Sequence, residues 1–401
     1  MIGFFNCVLG NIVRKLKRAL HVRFFVRKAV PVREYVKEKG GELLYSKKKK
    51  VVAYSVNYVE EKENPIIKEE LLEQYVCEIS DSSVIASSNI ILSKSGTILY
   101  DLLCKSNDNY KITDRGFLRH KGCCVRIGER YVTKCYQYGD GMDIAISLVG
   151  NFSYNYYHFV YEFITKFFLL SKCQISKDVP LIVDEVVSRT PQMLEILQLF
   201  SGERKIVYLP SKHLCKIRKL YVVSFVNQII PNFNDVNKIG IADNLYSPDA
   251  TAFIRKRFMI YATQNTKSYP TRIFIARRNN RNRSYNEQEL IKIASEYGFA
   301  IVSPEDLSAQ EQFKMFSSAD YIIAASGAAL TNIICCQPCC RILVLISRKI
   351  ELTIFSSIAG CLNINIRYLP GICYDTSKLQ SSYTIDVERF RSSITDWLLK
   401  E

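Results

Sequence analysis

Asp320-Tyr321-Ile322-Ile323-Ala324-Ala325-Ser326-Gly327-Ala328-Ala329-Leu330-Thr331 is the stretch that decides how this chain folds. Its first half is a short apolar run of the kind that forms a buried strand. Four small residues, Ser326 to Ala329, then allow a tight turn from the strand into a helix. Working outward, residues 342–346 read as the next strand. Upstream, Ser308 with Glu311 predicts a capping box that opens a helix over residues 309–318. Residues 299–302 read as a strand. Asn286 with Glu289 predicts a capping pair for a helix over 287–297, which Gly298 ends. Residues 272–277 supply one more strand. Strands and helices alternating with short connections call for a parallel sheet wound by helices. Right-handed crossovers then bring the carboxyl ends of the strands to one edge, where ligands bind.

The first half reads similarly, with weaker signals. Residues 154–170 are apolar and aromatic enough for a buried helix. Residues 179–183, 206–209 and 220–226 are strand candidates, and 191–200 is a helix with Pro191 in its first turn. From residue 51 to about 138 short alternating segments predict mixed strand and loop without evident chemistry. The expected organisation is an extension over 1–50, an α/β domain over 51–235, a second, Rossmann-like domain over 236–384 and a C-terminal helix over 385–401. Two such α/β domains facing each other form a cleft.

The chain has 401 residues, 48% apolar and 23% charged, with a net charge of +16. Residues 1–50 alone hold 14 basic and 3 acidic side chains, so most of the excess is N-terminal. The rest is nearly balanced and carries no nucleic-acid reading motif, which argues against a nucleic-acid partner. Apolar positions 9, 12, 13, 16 and 20, interleaved with Arg14, Lys15, Lys17 and Arg18, predict a basic amphipathic helix. Such a helix lies on an anionic membrane surface, here through residues 1–30, or packs as a solvated first helix on the body. No run approaches the length of a spanning helix, and no cleavable signal is evident. The 14 cysteines read as reduced and cytosolic. Cys335-Cys336-Gln337-Pro338-Cys339-Cys340 has one C-x-x-C spacing without a second, so zinc is not expected.

Three features carry chemistry. The turn from Ser326 to Ala329 suits backbone N–H groups approaching a phosphate, although a plain strand–helix junction needs the same small residues. Arg272, Arg277, Arg278, Arg281 and Arg283 fall within 12 residues that contain no acid, at the end of a neighbouring strand. Arginine forks can hold a sugar diphosphate in place of a metal. A solvated charge run accounts for Arg281 and Arg283 equally well, and less well for Arg277 and Arg278. His158 and Glu162 lie four apart on an apolar helix, where two titratable groups need each other or a cleft. They are candidates for a general base on a sugar hydroxyl, or a structural pair. Asp140 and Asp143 are lesser base candidates. A hydrolase triad and a P-loop are both unsupported.

Asn155-Tyr156-Tyr157-His158-Phe159 followed by Glu162 resembles the N-Y-x-H-[WF]-x-x-[DE] helix of glycosyltransferase family 61, a family associated with capsular polysaccharide synthesis. Arg277-Arg278, Arg283, Asn286-Glu287 and Glu289-Leu290 are similar to its arginine segment. Gly298-Phe299, Pro304-Glu305, Leu307, Gln312 and Phe316-Ser317 continue in order. Gly327-Ala328-Ala329-Leu330-Thr331-Asn332 is similar to its H-G-A-x-L-T-N signature, with Ser326 where the family commonly has His.

The resemblance covers about residues 140–348. It implies a GT-B-like fold and inverting transfer of a hexosyl or pentosyl group from a nucleotide-sugar donor to a glycan or lipid-linked glycan acceptor, with no metal or other cofactor. Arg277, Arg278, Ser326, Gly327, Ala328, Ala329, Thr331 and Asn332 are expected to hold the donor, with Glu305 reaching the nucleoside. His158 and Glu162 are expected on the acceptor side, and residues 387–399 form a helix that can cross back to the first domain. The expected location is cytoplasmic, at the inner face of the cell membrane. A polysaccharide pyruvyltransferase and a non-catalytic glycan- or membrane-binding scaffold are the alternatives.

Overall fold

Ile322, Ile323, Ala324 and Ala325 are all buried, so their strand is covered on both faces, as central strands of wound parallel sheets are. The computed structural model describes residues 22–27, 29–39, 41–60, 65–101, 124–127, 130–229, 241–277, 283–348, 353–374 and 381–399. In the second half, Ala300–Val302, Arg272–Ile275, Tyr321–Ala325, Arg341–Ser347 and Asn365–Cys373 lie side by side in that order, all parallel, with Tyr383–Thr384 antiparallel at the edge. In chain order these five parallel strands run second, first, third, fourth, fifth. The order reverses between Arg272–Ile275 and Tyr321–Ala325, so the crevice of this sheet opens beyond the carboxyl ends of those two strands.

The first half has its own switch point. Ile206–Leu209, Leu181–Asp184, Met142–Ser147 and His213–Val223 are parallel neighbours in that order. The chain order is third, second, first, fourth, and it reverses between Met142–Ser147 and His213–Val223. The sheet continues antiparallel through Gln74–Ile85. Val22–Arg27 and Glu42–Lys47, expected in an N-terminal extension, are strands of this sheet and pair with Arg130–Gln137 and Gln74–Ile85. Residues 22–27 and 29–31 are therefore extended, not part of an amphipathic helix; the helical pattern over positions 9–20 lies outside the described residues.

The boundary between halves is less clean in space than in sequence. The hairpin of Lys50–Tyr54 and Ile66–Glu70 leads into Tyr58, which forms a parallel bridge to Tyr368 of the second sheet. The Arg367 guanidinium donates to the Val59 carbonyl at 3.0 Å. A single apolar core runs from Ile146, Val160 and Met193 into Phe258, Phe313 and Ile322. Phe258 stacks on Phe313 with ring centroids 4.1 Å apart. The Glu195 carboxylate accepts the backbone N–H groups of Ala309 and Gln310 at 2.7 and 2.9 Å. It thereby satisfies orphan donors at the start of a helix in the other half. Along this face the halves are packed together, where an open cleft was expected.

Local signals were read with different success. Ser308 and Glu311 form the reciprocal capping box on Ala309–Ser318. Asn286 likewise stands at the N-cap of Glu287–Glu296 and donates to Glu289 Oε2 at 2.8 Å, but its side chain caps no backbone N–H; it reaches across to residue 385, accepting from its N–H and donating to its carbonyl, both at 3.0 Å. Val387–Ser392 and Ser393–Leu398 form the expected C-terminal helix, but Phe390, Ile394 and Leu398 bury against the second sheet and do not return to the first.

Candidate active site

The helix after Met142–Ser147 begins where the first sheet opens. Asn155 caps it by accepting from the N–H groups of Tyr157 and His158 at 3.0 and 3.5 Å. Tyr156–His158 is α-helical, Phe159–Ile164 is π-helical and Lys166–Leu170 is α-helical again. A π segment misaligns backbone carbonyls, and such segments recur at functional sites. Here the Tyr161 carbonyl is satisfied by side chains, accepting from Thr165 Oγ1 and Asn227 Nδ2, each at 2.8 Å.

His158 and Glu162 meet on this helix as expected. His158 Nδ1 and Glu162 Oε1 are 3.2 Å apart, and both side chains are buried. The contact is at ion-pair distance without good hydrogen-bond alignment. The imidazole also stacks on Phe152, centroids 4.8 Å apart and planes 23° from parallel. Phe152 sits at φ +62°, a conformation uncommon for a bulky side chain. Asp140 and Asp143 do not join this site. Both are exposed at the amino end of Met142–Ser147, beside a groove of about 660 Å³, and Asp143 pairs with Arg218 at 3.2 Å. They lie at the wrong edge of the sheet for a base acting with His158.

Lys166 was missed in the sequence. It stands four residues beyond Glu162 and is only 6% exposed. Its ammonium lies 4.5 Å from the Phe225 ring centroid and 5.7 Å from that of Phe163. Burial pulls its pKa down to about 8, opposed by the charges of Asp101 and Glu162. The available signal was a lysine inside an otherwise apolar helix, in step with His158 and Glu162.

At the second switch point, Arg277 leaves the carboxyl end of Arg272–Ile275 and crosses to the neighbouring strand. Its guanidinium donates to the Ser326 carbonyl and, at 3.4 Å, to that of Arg283. Its backbone N–H is held at 2.8 Å by Glu287 Oε1, which also accepts from Tyr285 Oη at 2.7 Å. A Cβ on Gly327 would come within 2.7 Å of Arg277 Nη2, so this approach relies on the missing side chain. Arg283 is not a solvated end of a charge run. Burial first, and the neighbouring Arg277 second, lower its pKa. Two guanidinia are thus held close together at the mouth of the crevice, where an anion would relieve their repulsion. Arg278 and Arg281 lie outside the described residues.

The remaining expected donor residues separate into two groups. Gly327, Ala328 and Ala329 are accessible at the turn, Ser326 is buried with its carbonyl taken by Arg277, and Glu305 is exposed after Ala300–Val302. Thr331 and Asn332 are fully buried. Asn332 Oδ1 accepts from Tyr156 Oη at 2.8 Å, and its Nδ2 donates to Gln312 Oε1 at 2.7 Å. Asn332 therefore ties the His158 helix to the second half from beneath. A direct donor contact by its amide is not what the packing favours.

Residues 156–343 match the family model Glycosyltransferase 61. This segment is a family 61 glycosyltransferase domain. Its match begins at Tyr156, two residues before His158, and extends through the Ser326 turn into the strand Arg341–Ser347. Over this segment, a little under half of the chain, the similarity is to glycosyltransferases, a family that implies a sugar donor and a glycan acceptor in general. No curated protein matches the chain. Among the described residues, no three His, Cys, Asp or Glu side chains are grouped to hold a metal, and no helix is long and apolar enough to cross a membrane. Cys335, Cys336 and Cys340 are buried free thiols and Cys339 is exposed. Burial raises the pKa of Cys335, and a hydrogen bond to Cys336 first and burial second raise that of Cys340, which keeps both protonated.

Proposed function

We propose that the family 61 domain catalyses inverting, metal-independent transfer of a hexosyl or pentosyl group from a nucleotide sugar to a hydroxyl of a glycan or lipid-linked glycan, in surface-polysaccharide synthesis. The observation that carries this reading is the placement of a buried His–Glu pair and a two-arginine crevice at the switch points of two sheets joined through Tyr156 and Asn332. In this reading the halves act as a GT-B-like pair around the substrates. His158, held by Glu162, takes the proton of the acceptor hydroxyl. The freed oxygen attacks the anomeric carbon from the face opposite the diphosphate. The anomeric C–O bond breaks with its electrons passing to the diphosphate oxygen, which inverts the centre. Arg277, Arg283 and the backbone N–H groups of the turn at 327–329 stabilise the charge that develops there. Arg278 belongs to the same donor set, Glu305 contacts the nucleoside, and the basic segment that precedes the strand Val22–Arg27 holds the enzyme at the inner face of the cell membrane.

Thermal unfolding of the purified chain with UDP-, GDP-, CMP- and dTDP-sugars and phosphoenolpyruvate, all with EDTA, tests the donor assignment. One nucleotide sugar should raise the midpoint, and Arg277→Ala should abolish the rise. A rise with phosphoenolpyruvate alone would replace this reading with pyruvyl transfer, and no rise with any ligand would favour a scaffold. His158→Ala should remove transfer while leaving the donor-induced rise intact.

A further inference from the structure

We propose that the groove at the amino edge of the first sheet is a second saccharide site, which holds an uncharged stretch of glycan chain away from the crevice. The choice of a glycan rests in part on the glycosyltransferase reading; the groove itself does not. Its floor lies where Gln74–Ile85 and His213–Val223 pair antiparallel, with Ser82 opposite Ile217 and Ser83 opposite Lys216. One wall is the turn at 93–96 after the short strand Ile91–Leu92, and the other is the chain entering Met142–Ser147. Gly141 has φ +107°, and a Cβ there would lie 2.8 Å from the Lys216 carbonyl oxygen, so glycine lets this wall close on the floor. The space between is about 660 Å³, within the size range of ligand pockets. The length of Met142–Ser147, at about 3.3 Å per residue, sets the groove about 17 Å from the carboxyl edge.

Three cations and three carboxylates line the groove, so it has no net charge. Lys94 pairs with Asp81 at 2.8 Å, and Arg218 with Asp143 at 3.2 Å. Asp140 and Lys216 take part in no ion pair among the described residues, which leaves one strong acceptor and one strong donor. Serine hydroxyls, each able to donate and accept, stand between these charges. Ser82 is only 2% exposed, and its Oγ has no hydrogen-bond partner among the described residues. An unpaired buried hydroxyl is costly, and a ligand hydroxyl, or a water bound with it, removes that cost. Leu92, Met142 and Leu214 add aliphatic surface. A polyanion would need an excess of cations, a metal ion would need grouped ligands that are absent among the described residues, and an apolar ligand would desolvate the charges. A neutral sugar chain fits, because its hydroxyls donate and accept at once and its C–H faces cover aliphatic patches.

The test is titration calorimetry of the full chain, without nucleotide sugar, against neutral hexasaccharides of glucose, galactose, mannose, xylose and N-acetylglucosamine, with hexagalacturonate as the charged comparison. At least one neutral hexamer should bind, and Asp140→Ala/Lys216→Ala should weaken it at least tenfold. Ser82→Ala should weaken it about 3- to 10-fold, the effect of one neutral hydrogen bond. The same substitution should leave the urea midpoint unchanged or raised, since the hydroxyl has no partner to lose in the free protein. Arg277→Ala and His158→Ala should bind the hexamer as the wild type does. Absence of binding to every neutral hexamer overturns the proposal, as does tighter binding of hexagalacturonate. So does binding that is indifferent to the groove variants; a loss in His158→Ala would then place the sugar in the crevice. A failed donor assignment leaves these titrations unaffected and counts against the proposed function alone. Failed hexamer binding with the donor-induced thermal rise intact counts against this inference alone.

Discussion

Lys166→Met should make the protein more stable near neutral pH, and the gain should shrink as pH rises. Lysine titrates near 10.5 when unfolded and about 8 in this fold, with burial as the leading cause. A difference of about 2.5 units at ~1.4 kcal/mol each makes folding about 3 kcal/mol less favourable than with a neutral side chain. The aromatic contacts of the ammonium return about 1–2 kcal/mol. Desolvation therefore wins, and the variant should gain about 1–2 kcal/mol at pH 7. Because the folded pKa lies below the unfolded one, the unfolded chain binds more protons between pH 8 and 10.5. The wild type accordingly recovers stability through that window, about 1 kcal/mol of it by pH 9. Buried thiols such as Cys77, raised to about 12, act in the opposite sense but equally in both proteins. Urea unfolding of wild type and variant at pH 6.5, 7, 8 and 9 measures the difference directly. A variant less stable than wild type at pH 7, or a gap that does not change with pH, would refute the reasoning. It would mean that the ammonium is compensated within the fold.

Arg277→Ala should weaken donor binding about 10- to 100-fold by titration calorimetry, since hydrogen bonds to charged groups contribute about 1.5–3 kcal/mol. Arg277→Lys should recover only part of this, because an ammonium cannot replace a fork. Asn332→Leu should lower stability by about 2–4 kcal/mol by leaving Tyr156 Oη and Gln312 Oε1 without partners. Donor affinity of the folded fraction should be unchanged, and a loss of affinity without a loss of stability would restore Asn332 to the donor site. Gly150→Ala should cost about 1–3 kcal/mol in urea unfolding. Its Cβ would lie 2.6 Å from Asn89 Oδ1 and 2.8 Å from the ring of Phe163, a fully packed residue of the His158 helix; an unaffected midpoint would show that the helix can shift.

Much of the fold was legible because its signals are local. Ser308 and Glu311 predict a helix start three residues wide, and the apolar run ending at Ser326 predicts a strand and its turn. His158 and Glu162 could be paired because one helix carries both at a four-residue step. Arg277 could be placed because it directly follows a strand that ends at the crevice. Other residues depended on partners distant in sequence. Arg283 looked like a solvated end of a basic run until the fold set it beside Arg277. Asn332 sat inside a phosphate-binding pattern, yet its partners Tyr156 and Gln312 are 176 and 20 residues away. The π segment beyond His158 has no pattern of its own, because its carbonyl is stabilised by Asn227, 66 residues on.

By itself the sequence determined the wound α/β halves, the family of the domain, and the His–Glu and arginine candidates. All of these rest on spacings of a few residues that local geometry converts into faces and edges. Only the tertiary structure decided that the halves share a continuous core, that residues 22–47 contribute strands to the first sheet, and that Asp140 and Asp143 lie at the far edge. It alone decided that Lys166 is buried. Burial, and hence the free energy of a charge, depends on what other parts of the chain pack around it, and no local pattern encodes that.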